Sequence, residues 1–501
     1  MNHALLFTGI DIIQYGNMHE VQRTAGAHKI ATYLRNEGWD VEVCDFIVHW
    51  TLEELKEYCR SRITSSTVFA GFSVAFNFHP QSIHDLFQWI KQEYPHVKTV
   101  IGGAVAHKTS IKADWYVVGF AEHAILELVK NFLGTNTEKL KFQLKGSKKV
   151  VMANLDYPAF PMKSLRIKYE DRDYIHPNET LTTELGRGCI FSCDFCNFPV
   201  LGVKGDYSRD AADYDAEIRE NYDRWGTTSY SLADETINDR TEKLQKFADV
   251  VSNLPFKIYN KGFLRPDLLI KRSQDWDFVE GMQLWGHHYG VESFNYPSAK
   301  SIGKGMPTEK LKEGLLMLKK ELGGRGPYLP MMSLIYGLPH ETPETIKEQE
   351  KWLLENWRDG GQILYPLSIW REESGSPLSK LSKSWAEKGY RLMEQDEIDE
   401  KLKKYPPGVT KYLNMLGMAD SILWANEHWD IFDTVDTIAN FHMNYILWDK
   451  PLPWALNDFK LGTGLSEAEV LKKTMKELRP GKIHKRLVEF AYEYKAKKLS
   501  R

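Results

Sequence analysis

The sequence predicts an α/β protein: an N-terminal doubly wound parallel sheet, then a central partial (β/α)6 barrel of the TIM type, then a helical C-terminal domain. Three observations predict it. Short apolar runs alternate with helix-patterned stretches over residues 1–133. The alternation restarts over 179–385, after a connector at 134–178. From 386 to 501 the pattern is helical without clear strands. With 501 residues, 42% hydrophobic and 12% aromatic, the chain can bury several cores.

In the first part, five apolar runs read as strands: Ala4–Phe7, Val41–Asp45, Val68–Val74, Thr99–Gly103 and Trp115–Gly119. Between and after them, Gly26–Asn36, Leu52–Arg62, Gln81–Tyr94 and Glu122–Leu133 carry apolar residues at helical spacing. Thr51-Leu-Glu-Glu54 is a capping box that starts the second helix. Such alternation implies a parallel sheet whose ligands bind in the crevice at the carboxyl ends of the strands. Gly9, Ser73, Gly102, Gly103 and Gly119 stand at those ends and are the candidate crevice residues. The connector carries Gly134, a lysine-rich stretch and prolines at 158, 161 and 177, all of which interrupt regular structure.

In the second part the expected strands are Thr180–Leu185, Thr228–Ala233, Lys257–Lys261, His287–Glu292, Pro330–Tyr336 and Ile363–Ile369. Thr342-Pro343 marks a helix start. Strand alternation sends His287 and His288 to opposite sides, so that one faces the barrel lumen, and Tyr289 is expected to share the lumen side of one of them as an equally open candidate. In barrels of this kind the working groups stand at the carboxyl ends of the strands. The aromatic-rich piece containing Trp424, Trp429, Phe432, Phe441, Tyr445, Trp448 and Trp454 reads as core, and Ser466-Glu-Ala-Glu469 as a further capping box.

Directly after the first strand of the second set lies Thr183-Glu-Leu-Gly-Arg-Gly-Cys-Ile-Phe-Ser-Cys-Asp-Phe-Cys196, which gathers Cys189, Cys193 and Cys196 out of five cysteines in the chain. Thiolates at this spacing can converge on an iron–sulfur cubane, and three of them leave one iron without a protein ligand. An open position is what separates a catalytic metal site from a closed structural one. Zinc is the alternative, but structural zinc takes four protein ligands and no fourth cysteine lies nearby. Gly186 and Gly188 suit a backbone that approaches a cluster closely. Cys44 and Cys59 read as small buried hydrophobes.

With these residues in view, positions 179 to 380 resemble the radical S-adenosylmethionine (SAM) superfamily. Arg187-Gly-Cys-Ile-Phe-Ser-Cys-Asp-Phe-Cys196 is similar to the family's cluster loop, with Phe195 before the last cysteine. The resemblance implies a [4Fe-4S] cluster on Cys189, Cys193 and Cys196, and SAM on its open iron. Ala233-Asp-Glu-Thr236 is similar to the acidic turn that meets the SAM ammonium, which points to Asp234 and Glu235, although the common Gly-Gly-Glu form is absent. Arg265, in Phe263-Leu-Arg-Pro-Asp267, corresponds to the partner of the SAM carboxylate. Gly290-Val-Glu-Ser293 suggests Glu292 and Ser293 near the ribose, and Ile335-Tyr-Gly-Leu-Pro-His-Glu341 suggests Ile335 near adenine. Ser368–Leu378, with Gly375 and Pro377, resembles the closing segment. The activity implied is reductive cleavage of SAM to a 5′-deoxyadenosyl radical.

The first 133 residues are similar to the cobalamin-binding-like domain that precedes this barrel in one branch of the superfamily. Arg23–Gly38 resembles its first helix. The DxHxxG motif that gives cobalt an axial histidine is missing: its positions read Val21, Arg23 and Gly26, and Asp11–Gly16 copies its spacing with Ile13 in place of histidine. The resemblance therefore implies a cobalamin without histidine ligation, with an empty structural domain as the alternative; His19 and His28 are read as surface or capping residues. With cobalamin, the leading outcome is methylation of an unactivated carbon. Without it, the outcome is radical oxidation, cyclisation or rearrangement.

The net charge of −3 excludes a broad nucleic-acid-binding face. One asymmetry stands out, eleven Lys or Arg against three Glu between Leu471 and Arg501, read as a solvated helix face. A different class of reading, a cluster-stapled RNA-binding module, would use that tail. No apolar run reaches spanning length, and a cytoplasmic location is expected. The expected partners are a small-molecule or peptide substrate and a one-electron donor such as flavodoxin or ferredoxin.

Overall fold

The structure is a computed structural model that describes residues 1–9, 13–14, 18–19, 23–74, 81–104, 106–157, 166–196, 208–367, 369, 381–405, 423–445 and 456–501. Strands β1 (His3–Gly9), β2 (Asp40–Cys44), β3 (Thr67–Val74), β4 (Lys98–Gly102) and β5 (Trp115–Val118) form a parallel sheet in the order β2-β1-β3-β4-β5. Their alternate residues feed two separate cores. Leu5, Phe7, Phe72, Ile101 and Tyr116 pack with Leu55 and Tyr58 of α2 (Leu52–Arg62) and Ile83 and Leu86 of α3 (Gln81–Glu93). Ala4, Leu6, Val41, Phe69, Val100 and Val117 pack with Ala27 and Ala31 of α1 (Ala25–Asn36) and Ala124 and Leu128 of α4 (Glu122–Leu133). This is the doubly wound architecture that the alternation predicts.

Two strands join the sheet from within the stretch read as connector. β6 (Gln143–Lys145) and β7 (Lys148–Met152) form a hairpin, and β7 pairs in parallel with β5. The turn is Gly146-Ser147, with Gly146 at φ +59°, a two-residue loop that only glycine enters without strain. Lysines on both strands hide the apolar alternation that would have marked them. Pro158 and Pro161 lie outside the described residues.

The second sheet runs in sequence order, β8 (Leu181–Thr183), β9 (Ser229–Leu232), β10 (Tyr259–Leu264), β11 (Leu284–Glu292), β12 (Leu329–Tyr336) and β13 (Gly361–Pro366), all parallel, with β8 and β13 as its edges. Leu181, Tyr230, Leu264, Tyr289, Val291, Leu334 and Leu364 belong to one core with residues of the surrounding helices, such as Ile218, Leu244 and Leu315. At the amino end Tyr259, Trp285, Leu329 and Met331 meet Leu456 and Phe459 of the helix Leu456–Thr463. Asn457 Oδ1 there accepts from Thr180 N at 2.7 Å. The opposite, carboxyl end carries the cysteine loop.

The C-terminal part is helical, with one departure from the sequence reading: Arg391–Leu392 pairs antiparallel with Trp424–Ala425. Trp424, Trp429, Phe432 and Phe441 are buried, as expected of core. Trp448 and Trp454 lie outside the described residues. Most cations of the basic tail are exposed, as the sequence reading expects, with two exceptions. On the helix Pro480–Leu499, Lys495 and Lys498 are buried rather than solvated, and Lys495 pairs with Glu54 at 2.7 Å. No described helix is long and apolar enough to cross a membrane.

Arg23 lies where the three parts of the chain meet. It donates to Asp45 at 2.6 Å, to Glu179 at 3.1 Å and to the Tyr174 carbonyl at 3.1 Å, and its guanidinium lies 5.1 and 5.3 Å from the ring centres of Phe46 and Tyr494. His28 sits on Asp45 at 3.0 Å, and the Tyr494 hydroxyl accepts from Asp45 N at 3.0 Å. His28 is therefore fully buried and hydrogen-bonded to Asp45, not a surface residue. Replacing Arg23 by Met takes the guanidinium from the buried carboxylates of Asp45 and Glu179; a loss of about 3–5 kcal/mol in unfolding free energy is expected, read from urea titrations of the two proteins.

Candidate functional site

The cysteine loop is moulded by the turn that follows β9. Leu185 N donates to Asp234 Oδ2 at 2.8 Å, Gly188 N to Glu235 Oε2 at 2.9 Å, and the Cys189 thiol to Thr236 Oγ1 at 3.4 Å. Gly188 has φ +88°, which lets the chain reverse just before the first cysteine. Cys196 N donates to the Cys193 carbonyl at 2.9 Å, and Asp194 N to the Ile302 carbonyl at 3.2 Å. Gly303 packs against this turn, where a Cβ would stand 3.6 Å from Cys193 Cα. All three thiols are partly accessible. Among the described residues no three His, Cys, Asp or Glu side chains converge as one metal ion requires. A cubane asks for less, because each thiolate meets a different iron.

The residues expected around SAM stand at the carboxyl ends of successive strands, in different states. Asp234 is buried and committed, to Leu185 N and to Lys243 at 3.4 Å. Glu235 is half-buried, and burial, with Asp234 and Glu184 nearby, pushes its carboxyl up to about 8. Arg265 is buried, forms a fork with Asp267 at 3.0 and 3.1 Å, and lies 3.9 Å over the ring of Phe191 in the cysteine loop. Asn238 holds Arg265 by both its backbone N and its carbonyl, at 2.8 and 2.9 Å. Arg265 Nη1 is buried with no hydrogen-bond partner among the described residues. A buried guanidinium N–H without an acceptor is costly unless a ligand supplies one.

Glu292, at φ +68°, pairs with Lys304 at 2.9 Å, and Lys304 also donates to the Gly290 carbonyl at 2.7 Å. Ser293 donates to Glu341 at 2.9 Å, and Glu341 accepts from Gly337 N and Leu338 N at 2.9 and 3.1 Å. Glu341 thus ties the ends of β11 and β12 together, and burial pushes its carboxyl up to about 8. Ile335 is buried, and Phe195 packs partly buried against the same core. The expected closing segment 368–378 lies outside the described residues, apart from Ile369.

The two histidines of β11 do face opposite ways. His288 meets the Phe263 ring at 4.5 Å and hydrogen-bonds Ser333, on the lumen side. His287 faces the helices: its Nε2 donates to the Leu284 carbonyl at 2.8 Å, and its Nδ1 accepts from Tyr289 at 2.7 Å. Lys261, two residues before Phe263 on β10, is 1% exposed on the lumen side. The sequence reading singled out neither Lys261 nor the ionised residues described next, because strand lysines and scattered Glu residues ordinarily mark surface.

A cavity of about 260 Å³ opens at the carboxyl ends of β3, β4 and β5, between the sheet, α1 and α4. Ser73, Gly102 and Gly103 line it as expected, together with Gly119. Gly9 does not; it packs on Ile47, where a Cβ would meet the chain at 3.0 Å. Gly102 faces open space, with no described atom within 4 Å of where a Cβ would stand. One wall belongs to the barrel, namely Glu184 and Arg187. Arg187 donates to Glu122 and Glu184 at 3.1 Å each, and Lys29 is ion-paired with Glu184. All four side chains are buried. His28 does not line the cavity, His19 pairs with Ile13 in a short antiparallel ladder, and Val21 lies outside the described residues.

The B12 binding domain family matches residues 16–129, and the Radical SAM superfamily matches residues 183–353. These two matches, on the two parallel sheets, place the chain in the radical SAM superfamily, in the branch with an N-terminal B12-binding domain. Among solved structures, the chain is similar to the radical S-adenosylmethionine methyltransferase TsrM from Kitasatospora setae with tryptophan substrate and the SAM analogue aza-SAM bound. The identity is 16% and the TM-score 0.57, with 74% of each chain covered. The same enzyme with cobalamin and [4Fe-4S] cluster bound gives a TM-score of 0.55. The cobalamin-dependent S-adenosylmethionine radical enzyme OxsB with aqua-cobalamin bound is 15% identical with a TM-score of 0.54, over 70% of this chain and 52% of that one. At these identities the likeness is one of fold. Comparison with curated protein sequences finds no match.

Burial holds the His287 imidazole down to about 4 and that of His288 to about 3. Below about pH 6.5 the unfolded chain takes up these protons and the folded chain does not, so stability falls as pH drops from 6.5 toward 4. His287→Leu is expected to make that decline shallower by about 1.4 kcal/mol per pH unit, measured by chemical denaturation at pH 6.5 and 4.5.

Proposed function

We propose that this protein is a cobalamin-dependent radical SAM enzyme that methylates an unactivated carbon of a small-molecule substrate. The observation that carries the reading is the three-cysteine loop at the carboxyl end of β8, fastened to the turn bearing Glu235 and stacked through Phe191 on Arg265. When bound, a [4Fe-4S] cluster on Cys189, Cys193 and Cys196 supplies the electron that cleaves SAM reductively, and cobalamin in the first-domain crevice supplies a methyl carrier.

The chain's own residues bind and orient. Glu235 is a desolvated carboxyl, and an ammonium beside it restores the anion and a charge-assisted hydrogen bond. Arg265 offers its unpartnered Nη1 to a carboxylate, held flat by Asp267 and Phe191. Asp234 acts behind Glu235, by fixing the backbone where the cysteine loop begins. Glu292, Ser293 and Ile335 line the next two strand ends, where Lys304 and Glu341 set their positions. Phe263 and Tyr365 expose rings near His288 and Ser333, a mixed apolar and polar lining suited to a small organic substrate. In the first domain the open space beside Gly102 fits a group pressed closely against the backbone. Arg23, at the position of the axial histidine, is consumed by Asp45 and Glu179, in keeping with a cobalamin that takes no histidine ligand.

Of the basic tail, Lys495 and Lys498 are buried, Lys495 on Glu54 of the first domain, which takes two cations from the surface that the RNA-binding reading would use.

Cys193→Ala is expected to abolish 5′-deoxyadenosine formation in anaerobically reconstituted protein given SAM and dithionite; formation at the parent rate would refute the site. Gly102→Val, at a strand position outside the left-handed region, is expected to leave stability and SAM cleavage intact. It should cut retained hydroxocobalamin, read from the corrin absorption bands, by about tenfold, as a filled cavity costs one good contact.

A further inference from the structure

The ionised side chains that wall the first-domain cavity also hold the start of the cluster loop. Lys29 comes from α1, Glu122 opens α4, and Glu184 and Arg187 follow β8. Their exposures are 7%, 4%, 7% and 5%, so the group is buried but for its edge on the cavity, and its two cations and two carboxylates balance internally. Arg187 is the shared member. It donates to Glu122 and to Glu184, and its guanidinium lies 4.1 Å over the ring of Phe120, itself a cavity wall. One residue on, Gly188 N donates to Glu235 Oε2, and the residue after that is Cys189. From the cavity to the first cysteine and to Glu235 there is an unbroken run of direct contacts.

We propose that the Lys29–Glu184–Arg187–Glu122 network couples the two cofactor sites, so that filling the first-domain cavity raises the affinity of the cluster site for SAM. The inference rests on the reading that the cavity takes cobalamin and the cluster takes SAM. The physical cause is the exchange of water for ligand beside buried ion pairs. An open cavity admits water next to Glu122 and Arg187, and an occupant expels it. In the lower local dielectric the Glu122–Arg187 pair tightens. A tighter pair restrains Arg187, hence the peptide of Gly188 and the loop that carries Cys189. Part of the ordering that SAM would otherwise impose is then already complete, which gives positive cooperativity without a large displacement. Arg187 and Glu122 are positioning residues in this scheme; neither touches a reacting atom.

The test is calorimetric titration of SAM into the full chain with its cluster reconstituted anaerobically, with and without hydroxocobalamin. SAM is expected to bind about tenfold more tightly with hydroxocobalamin present, and the reverse titration must give the same factor, because linkage is reciprocal. Glu122→Gln is expected to bring the factor to near unity while both ligands still bind. That variant leaves the buried group with one cation in excess, so the paired replacement Glu122→Leu with Arg187→Met serves as a second probe that keeps the charges balanced; it must lose the coupling too. Equal SAM affinity with and without hydroxocobalamin in the parent protein overturns the coupling and leaves the proposed function standing. Coupling that survives in both variants also overturns it, by assigning the linkage to other residues. Failure of hydroxocobalamin to bind at all sinks both the coupling and the cobalamin reading.

Discussion

A charge taken out of water must be paired, and that constraint joins the first domain to the barrel. Two buried ionic groups cross the junction, one centred on Arg23 and the other on Arg187. Both involve α1 or the residues at its start: His28 sits on Asp45 beside Arg23, while Lys29, the next residue, points to Glu184. Each group draws on distant sequence positions, Glu179 lying 156 residues from Arg23, and Glu122 65 residues from Arg187 of the cluster loop. Breaking either partner strands a buried ion, so the two domains hold one relative arrangement.

The catalytic end of the barrel is organised by the same economy of polar groups. At several strand ends one carboxylate holds a neighbouring group in place. Asp234 fixes the loop while Glu235 remains partly accessible, Asp267 steadies Arg265 while its Nη1 stays unpartnered, and Glu341 ties two strand ends beside Ser293. Such pairs divide rigidity from recognition, and rigid placement is what SAM cleavage asks of a protein whose cofactor carries the difficult step.

Much of this was legible in the sequence. The two β-α alternations, the capping box at Thr51, the cysteine loop after the first barrel strand, and the opposite facing of His287 and His288 all follow from local chemistry and period. The hairpin at 143–152 was hidden by its lysines, although Gly146-Ser147 marked the turn. Gly9 was misjudged because a glycine at a strand end serves chain packing as readily as a ligand. Two residues of the basic tail departed from the solvated reading for a related reason: Lys495 pairs with Glu54 of the first domain and Lys498 is buried, and no helix pattern contains that information.

By itself the sequence determined which elements form and where the thiols stand, because hydrophobic period, turn residues and cysteine spacing act over a few residues. Only the tertiary structure decided which ionised groups are paired, that Arg23 is sealed within the junction, and that one cavity shares a wall with the cluster loop. Those outcomes depend on burial and on contacts between distant segments. The free energy of a charge is set by its surroundings, not by its neighbours in the chain.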